Sequence, residues 1–151
     1  MFKSIIIPIL VLAGSNVFSQ NITFKNLKGI WRSTNSKDIV HYTFFNFVSA
    51  TQVIEVDIVK GDNPYREETV FTYTLDNSSN PTLIQLTEKS NRANKLIYYW
   101  LIKIENNILK MQGDLDGKKI IQRKWNTPTL DNTGFFERTK SVDPNYKKTI
   151  L

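Results

Sequence analysis

The stretch TQVIEVDIVKGDNPYREETVFTYTL, residues 51–75, decides the fold. Its first half alternates branched aliphatic residues with acidic ones, which is typical of a β-strand with one buried side and one side in water. The sequence GDNP at 61–64 is typical of a turn, and alternation resumes after it. The stretch therefore predicts two adjacent antiparallel strands, with the acidic side chains of the first facing solvent. The aliphatic positions are Ile54, Val56 and Ile58, and the acidic ones are Glu55 and Asp57.

The same rhythm continues along the chain, in short alternating segments separated by turn residues. No segment has a convincing helical period, so the sequence predicts an all-β barrel or sandwich. Short sequential turns favour an up-and-down meander, because antiparallel neighbours need only a tight connection. The predicted strands are Lys28–Ser33, Asp38–Phe47, Thr51–Lys60, Glu67–Leu75, Thr82–Glu88, Lys95–Ile104, Ile108–Gln112, Lys118–Trp125 and Phe135–Thr139.

The first 19 residues have the features of a signal peptide. Lys3 supplies a positive start, and the apolar run from Ile5 to Leu12 is too short for a comfortable membrane span. The exit sequence Val17-Phe18-Ser19 predicts cleavage before Gln20. We therefore expect a secreted or periplasmic protein, with a buried N-terminal helix as the alternative interpretation of this segment.

The amino-acid composition excludes several classes of function. The chain has 151 residues and no cysteine, so disulfides, thiolate metal sites and cysteine catalysis are excluded. The net charge of +6 comes without a nucleic-acid-binding motif, so we expect no nucleic-acid partner. The polar sides of the predicted strands argue against a membrane-embedded barrel. The expected organisation is a signal peptide at 1–19, one barrel domain at 20–140 and a basic C-terminal tail at 141–151.

Two short motifs lie at the ends of the predicted meander. The segment Leu27–Arg32 reads LKGIWR, and Phe135–Arg138 reads FFER. They resemble the Gly-x-Trp opening and the closing strand of lipocalins, the calycin-type barrels found also in bacterial envelopes. The resemblance implies a lipocalin-like barrel of eight or nine strands, in which Arg138 lies over Trp31 at the closed end. Gly29 would leave room for such packing because it has no Cβ.

Catalytic and metal-binding patterns are weak in this sequence. His41 is the only histidine, and neither a nucleophile-elbow sequence nor a zinc-ligand spacing accompanies it. A pair of carboxylates such as Glu55 and Asp57 can serve glycoside hydrolysis, but their alternation favours a solvated face. The segment Asp114–Gly117 lacks the remaining ligands of a calcium loop and is typical of a hairpin turn. We therefore predict a protein that is not an enzyme and needs neither metal nor cofactor.

The aromatic residues of the predicted strands raise the question of a cavity. An eight-stranded barrel is wide enough either to be filled by side chains or to hold one small ligand, and the sequence leaves both open. We predict a non-catalytic barrel that binds a small apolar or aromatic ligand, with an acid headgroup favoured by basic residues at the mouth. The alternative is an exported protein-interaction module, an inhibitor or accessory subunit, with a filled barrel. The predicted ligand-binding residues are Phe44, Phe71, Tyr73, Tyr98, Trp100, Arg92 and Lys95.

Overall fold

The structure is a computed structural model. It describes residues 21–34, 41–78, 80–91, 93, 95–114, 125–129 and 133–142. The predicted signal peptide, Arg92 and the predicted strand at 118–125, apart from Trp125, lie outside the described residues. The elements are α1 (Phe24–Leu27), β1 (Gly29–Ser33), β2 (His41–Phe47), β3 (Gln52–Val59), β4 (Tyr65–Asp76), β5 (Thr82–Glu88), β6 (Ile97–Glu105), β7 (Ile108–Asp114) and β8 (Gly134–Thr139).

The strands form a closed antiparallel barrel in which each strand pairs with the next and β8 pairs with β1. The predicted all-β, up-and-down barrel is therefore confirmed, with eight strands in the described part of the chain. The barrel is compatible with the calycin-type fold that the resemblance implies. Helix α1 was not predicted, because four residues are too few to give a helical period. It begins at a turn where the backbone N–H of Thr23 donates to Asn26 Oδ1 at 2.9 Å.

The two ends of the barrel differ in what lies beside them. Helix α1 leads directly into β1, and Ile22 hydrogen-bonds with Asn77 of the β4–β5 turn at the same end, which we call the α1 end. The β3–β4 turn (60–64) and the β5–β6 loop (89–96) lie at the opposite end, which we call the far end. The closest packing lies towards the α1 end.

Apolar side chains fill the interior towards the α1 end. Edge-to-face contacts join Phe45 to Phe136 at 5.2 Å and Phe47 to Tyr73 at 5.4 Å between ring centroids. Each fully buried large side chain stabilises the fold by about 1.5–3 kcal/mol relative to an exposed one. The core consists of Ile22, Leu27, Trp31, Phe45, Phe47, Val53, Phe71, Tyr73, Ile84, Leu86, Ile102, Leu109, Met111 and Phe136.

Strand β3 faces the opposite way from the sequence prediction. Val53 belongs to the interior core, so Glu55 and Asp57, two and four residues further along the strand, also point inward. The prediction that these carboxylates lie on a solvated outer face is wrong. The aliphatic side of β3 instead belongs to a second cluster on the outside of the barrel. This cluster, the outer apolar face, consists of Phe44, Val56 and Ile58 with Ile30, Tyr42 and Ile54 at its margin.

Candidate functional site

The interior towards the far end carries carboxylates and half-buried rings. Strands β2 and β3 place Thr43, Glu55 and Asp57 on the inward side, because an even number of positions separates them from the core residues Phe45 and Val53 of their strands. Strand β6 adds two half-buried rings on the opposite wall of the barrel. We call Glu55 and Asp57 the carboxylate pair, and Tyr98 and Trp100 the ring pair.

Asp57 is held by hydroxyl and imidazole groups of β2. The Thr43 hydroxyl donates to Asp57 Oδ1 at 2.7 Å, and His41 Nε2 lies 3.3 Å from the same oxygen. The His41 side chain is exposed at the rim of the barrel. These contacts hold the Asp57 carboxylate in a fixed position within the interior.

Glu55 lies deeper in the barrel than Asp57, and its surroundings disfavour the ionised form of its carboxyl group. Burial, together with the neighbouring charges of Asp57 and Glu67, raises the pKa of its carboxyl from 4.5 to about 7, with burial the largest cause. Removing a carboxylate from water disfavours its charged form, and nearby like charges add to that cost. A positively charged group placed beside Glu55 would relieve both effects at once.

The ring pair is stacked, with 5.5 Å between the Tyr98 and Trp100 centroids and 20° between their planes. Phe45 contacts Trp100 edge-on at 5.6 Å, and Phe71 contacts Tyr98 at 5.7 Å, so the apolar core supports the pair from the α1 side. Burial raises the pKa of the Tyr98 phenol, and the charges of Glu55, Glu88 and Asp57 raise it further. The ring pair and the carboxylates therefore share one electrostatic environment. Both Tyr98 and Trp100 are only half-buried.

Gly113 of β7 makes the position of Trp100 possible. The two residues pair across β6 and β7, and a Cβ on Gly113 would lie 1.5 Å from Trp100 Cδ1. The indole thus occupies the space that a side chain at position 113 would need. No feature of the local sequence distinguishes this glycine from a turn glycine, and the prediction did not include it.

The structure separates the predicted ligand-binding residues into groups. It brings Phe71, Tyr98 and Trp100 together. Tyr73 instead lies against Phe47, and its hydroxyl donates to the backbone carbonyl of Ser49 at 3.0 Å, towards the α1 end.

Two other predicted residues lie on the outside of the barrel and in a loop. Phe44 is on the outer apolar face, since it neighbours the inward Phe45 and successive residues of a strand alternate sides. Lys95 is exposed in the β5–β6 loop, and Arg92 of that loop lies outside the described residues.

Glu88 is a buried carboxylate that the sequence prediction also passed over. It is 8% exposed, and its Oε2 accepts a hydrogen bond from the Leu96 backbone N–H at 3.1 Å. This bond ties the β5–β6 loop to the end of β5. The signal was present in the sequence, because Glu88 continues the inward alternation of Ile84 and Leu86.

At the α1 end, Trp31 and Arg138 form the contact that the family resemblance implies. The Arg138 guanidinium lies 4.3 Å from the centre of the Trp31 ring, and Trp31 Nε1 donates to the Leu27 carbonyl at 2.7 Å. Arg138 also donates to the carbonyls of Lys28, at 2.6 Å, and Asn26. Gly29, at φ +112°, adopts a backbone conformation that residues with a side chain rarely adopt, and a Cβ added there would lie 3.5 Å from Arg138 Nη1. These contacts attach α1 to the barrel.

Comparisons with known proteins do not assign the chain to a protein family. No protein-family model, no curated protein and no solved structure matches it. Within the described residues, no three His, Asp or Glu side chains are grouped so that they could hold a metal ion. In the same part of the chain, no helix has the length and apolarity needed to cross a membrane.

Proposed function

We propose that this protein is an exported, non-catalytic, lipocalin-like barrel that binds a small, partly apolar ligand within its interior towards the far end. The observation that carries the proposal is the ring pair, in which Tyr98 and Trp100 are stacked and stay half-buried beside carboxylates. A concave site with apolar rings and a few convergent polar groups is typical of small-molecule binding. Export is supported by the charged start, apolar run and small-residue exit of residues 1–19.

The charge of the site favours a ligand with a cationic group. Glu55 and Asp57 both point inward, and the Glu55 carboxyl regains its preference for the charged form when a cation lies beside it. A cation over the face of a Tyr or Trp ring gains about 0.5–2 kcal/mol more. We therefore propose a cationic group in place of the acid headgroup expected from Arg92 and Lys95. Lys95 is exposed in a loop, whereas the carboxylates face inward.

The expected affinity is modest. Burying about 200 Å² of apolar ligand surface at about 25 cal/mol per Å² gives about 5 kcal/mol before the cost of association. Binding is therefore expected to be micromolar or weaker unless the carboxylate pair adds a charged contact. The apolar core beneath the ring pair would restrict the proposed ligand to the far end of the interior, so we expect a small molecule.

A matched set of probes tests the proposal. Phenylethylammonium, phenylethanol and phenylpropionate have similar apolar parts but positive, neutral and negative polar groups. Titration followed by tryptophan fluorescence should give saturable binding that is tightest for the ammonium probe and strengthens as the pH rises through 7, as Glu55 ionises. Replacing Glu55 by Gln should remove most of the preference for the ammonium probe.

Two tryptophan variants identify the residue that gives the fluorescence response. Trp100→Phe should remove most of the fluorescence response, whereas Trp125→Phe should retain it, because the Trp125 ring lies 4.8 Å from Nζ of Lys103, a residue on the side of β6 opposite to that of the ring pair. Equal binding of the three probes would contradict a cation site. No saturable response from any of them, or from fatty acids, retinoids and hydrophobic dyes, would remove the ligand-binding proposal.

One observation favours a second candidate, the exported protein-interaction module with a filled barrel. Trp100 and Tyr98 contact Phe45 and Phe71, so part of the predicted cavity lining is packed against the core. A module of this kind would act through its outer surface and would show no probe response. The same titration therefore separates the two candidates.

A further inference from the structure

Glu88 is a second anionic group that points into the barrel, on a different strand from the carboxylate pair. It is 8% exposed and continues the inward alternation of Ile84 and Leu86. Its Oε2 accepts a hydrogen bond from the Leu96 backbone N–H, whereas its Oε1 has no hydrogen-bond partner among the described residues. A buried carboxylate oxygen without a donor is costly. A donor supplied by a ligand would remove this cost.

The described chain supplies no lysine or arginine to neutralise the inward carboxylates. Neither Glu55 nor Glu88 takes part in an ion pair within the described ranges, and the ion-pair partner of Asp57 is His41 at the rim. Glu67 adds another inward carboxylate on β4, because an even number of positions separates it from the core residues of that strand. In the part of the chain that the structure describes, the interior towards the far end therefore has an excess of negative charge.

The ring of Tyr98 lies near both the carboxylate pair and Glu88. The strand register places Val53 opposite Phe71 and Phe71 opposite Glu88, so Glu88 is two strands from β3, or about 10 Å around the wall. Glu55 lies two residues beyond Val53 along β3, roughly 7 Å at strand rise. Phe71 contacts Tyr98 at 5.7 Å between ring centroids. Burial is the largest cause of the raised pKa of Tyr98, and the charges of Glu55 and Glu88 both add to it.

We propose that the ligand of this site carries two cationic groups, one held by the carboxylate pair and the other by Glu88, joined by an apolar spacer that packs on the ring pair. The inference rests on the proposed binding function and names the class of ligand, a diamine or a similar dication. Charge-assisted N–H···O bonds are about 2.8 Å long, so carboxylates on separate strands suit two cationic groups better than one. A ligand with a single cation would leave one inward carboxylate unpaired.

Two probes with the same aromatic ring test this inference. 1,4-Bis(aminomethyl)benzene carries two ammonium groups, and 4-methylbenzylamine has a methyl group in place of one of them. Isothermal titration calorimetry at low ionic strength should show one dication bound per chain, at least about tenfold more tightly than the monocation. The net charge of +6 opposes the approach of cations at long range, so such a gain would have a local cause.

Conservative variants assign the two cationic groups to their carboxylates. Glu88→Gln keeps a carbonyl acceptor for the Leu96 N–H and should remove most of the advantage of the dication over the monocation. Glu55→Gln should weaken the binding of both probes, because it changes the position that both are expected to occupy. The matched control, Glu137→Gln, removes an exposed charge from the outer side of β8 and should preserve the advantage.

The outcomes separate the two-cation ligand from the proposed binding function. Saturable binding of both probes with equal affinity would overturn the two-cation ligand and leave the binding function in place. An advantage of the dication that survives Glu88→Gln, or that Glu137→Gln removes equally, would overturn it as well. No saturable binding of either probe would refute the binding function itself, and the two-cation ligand with it.

Discussion

Replacing Glu55 by Gln is expected to stabilise the protein above neutral pH. The interior raises the pKa of this carboxyl from 4.5 to about 7, so the folded state binds a proton that the unfolded state releases between these values. The destabilisation from Glu55 is therefore fully present above the folded pKa and disappears as the pH falls towards 4.5. Gln removes the charge, and no side-chain hydrogen bond of Glu55 is found among the described residues that it would lose.

The magnitude follows from the two pKa values. At about 1.4 kcal/mol per pKa unit, the interval from 4.5 to about 7 corresponds to about 3 kcal/mol. Because Glu55 is half-buried, solvent screening reduces the expected gain to about 1–2 kcal/mol at about pH 8.

Urea unfolding followed by tryptophan fluorescence, at about pH 8 and about pH 5, measures the difference. The control is Glu137→Gln, an exposed carboxylate on β8, which should change stability by less than about 0.5 kcal/mol. No gain in stability for Glu55→Gln at the higher pH, or an equal gain at both pH values, would contradict the raised pKa of Glu55 in the folded state.

Three further predictions concern the packing of the two interior indoles and the N-terminal segment. Trp31→Ala should cost about 3–5 kcal/mol in urea unfolding, because it removes a buried ring and its hydrogen bond to Leu27; a change within error would contradict this packing. Gly113→Ala should displace Trp100, at a cost of about 1–3 kcal/mol, and an unchanged near-UV circular dichroism spectrum would refute the close contact. Protein recovered after export should have an intact mass that lacks residues 1–19, and a mass including them would defeat the signal-peptide prediction.

The strand order could be predicted because it depends on local patterns. On β4, Phe71 and Tyr73 alternate with Thr72 and Thr74, so one side is plainly apolar, and that side does face the core. Turn sequences such as that at 61–64 separate the strands. Since every connection in an up-and-down meander is short, these local signals were enough to give the topology.

The direction in which β3 faces could not be predicted in the same way. The alternation of β3 is present in the structure, but the more apolar side, with Val56 and Ile58, lies outside. A strand's sequence defines two sides and not which of them turns inward. Here the side with Val56 and Ile58 packs outside the barrel with Phe44 of the neighbouring strand and with Val142, far along the chain. The candidate site was missed for the same reason, because it lies on the side assigned to solvent.

The pairing of β1 with β8 has a consequence for how the protein folds. Every other strand pairing joins neighbours in sequence, whereas this one brings Trp31 opposite Arg138. Closing a loop of about a hundred residues costs more entropy than forming a hairpin, so we expect the β1–β8 pairing to form late. Until it forms, β1 and β8 expose unpaired edges that can associate between chains. Refolding yield is therefore expected to fall as protein concentration rises, even though the closed barrel itself presents no such edge.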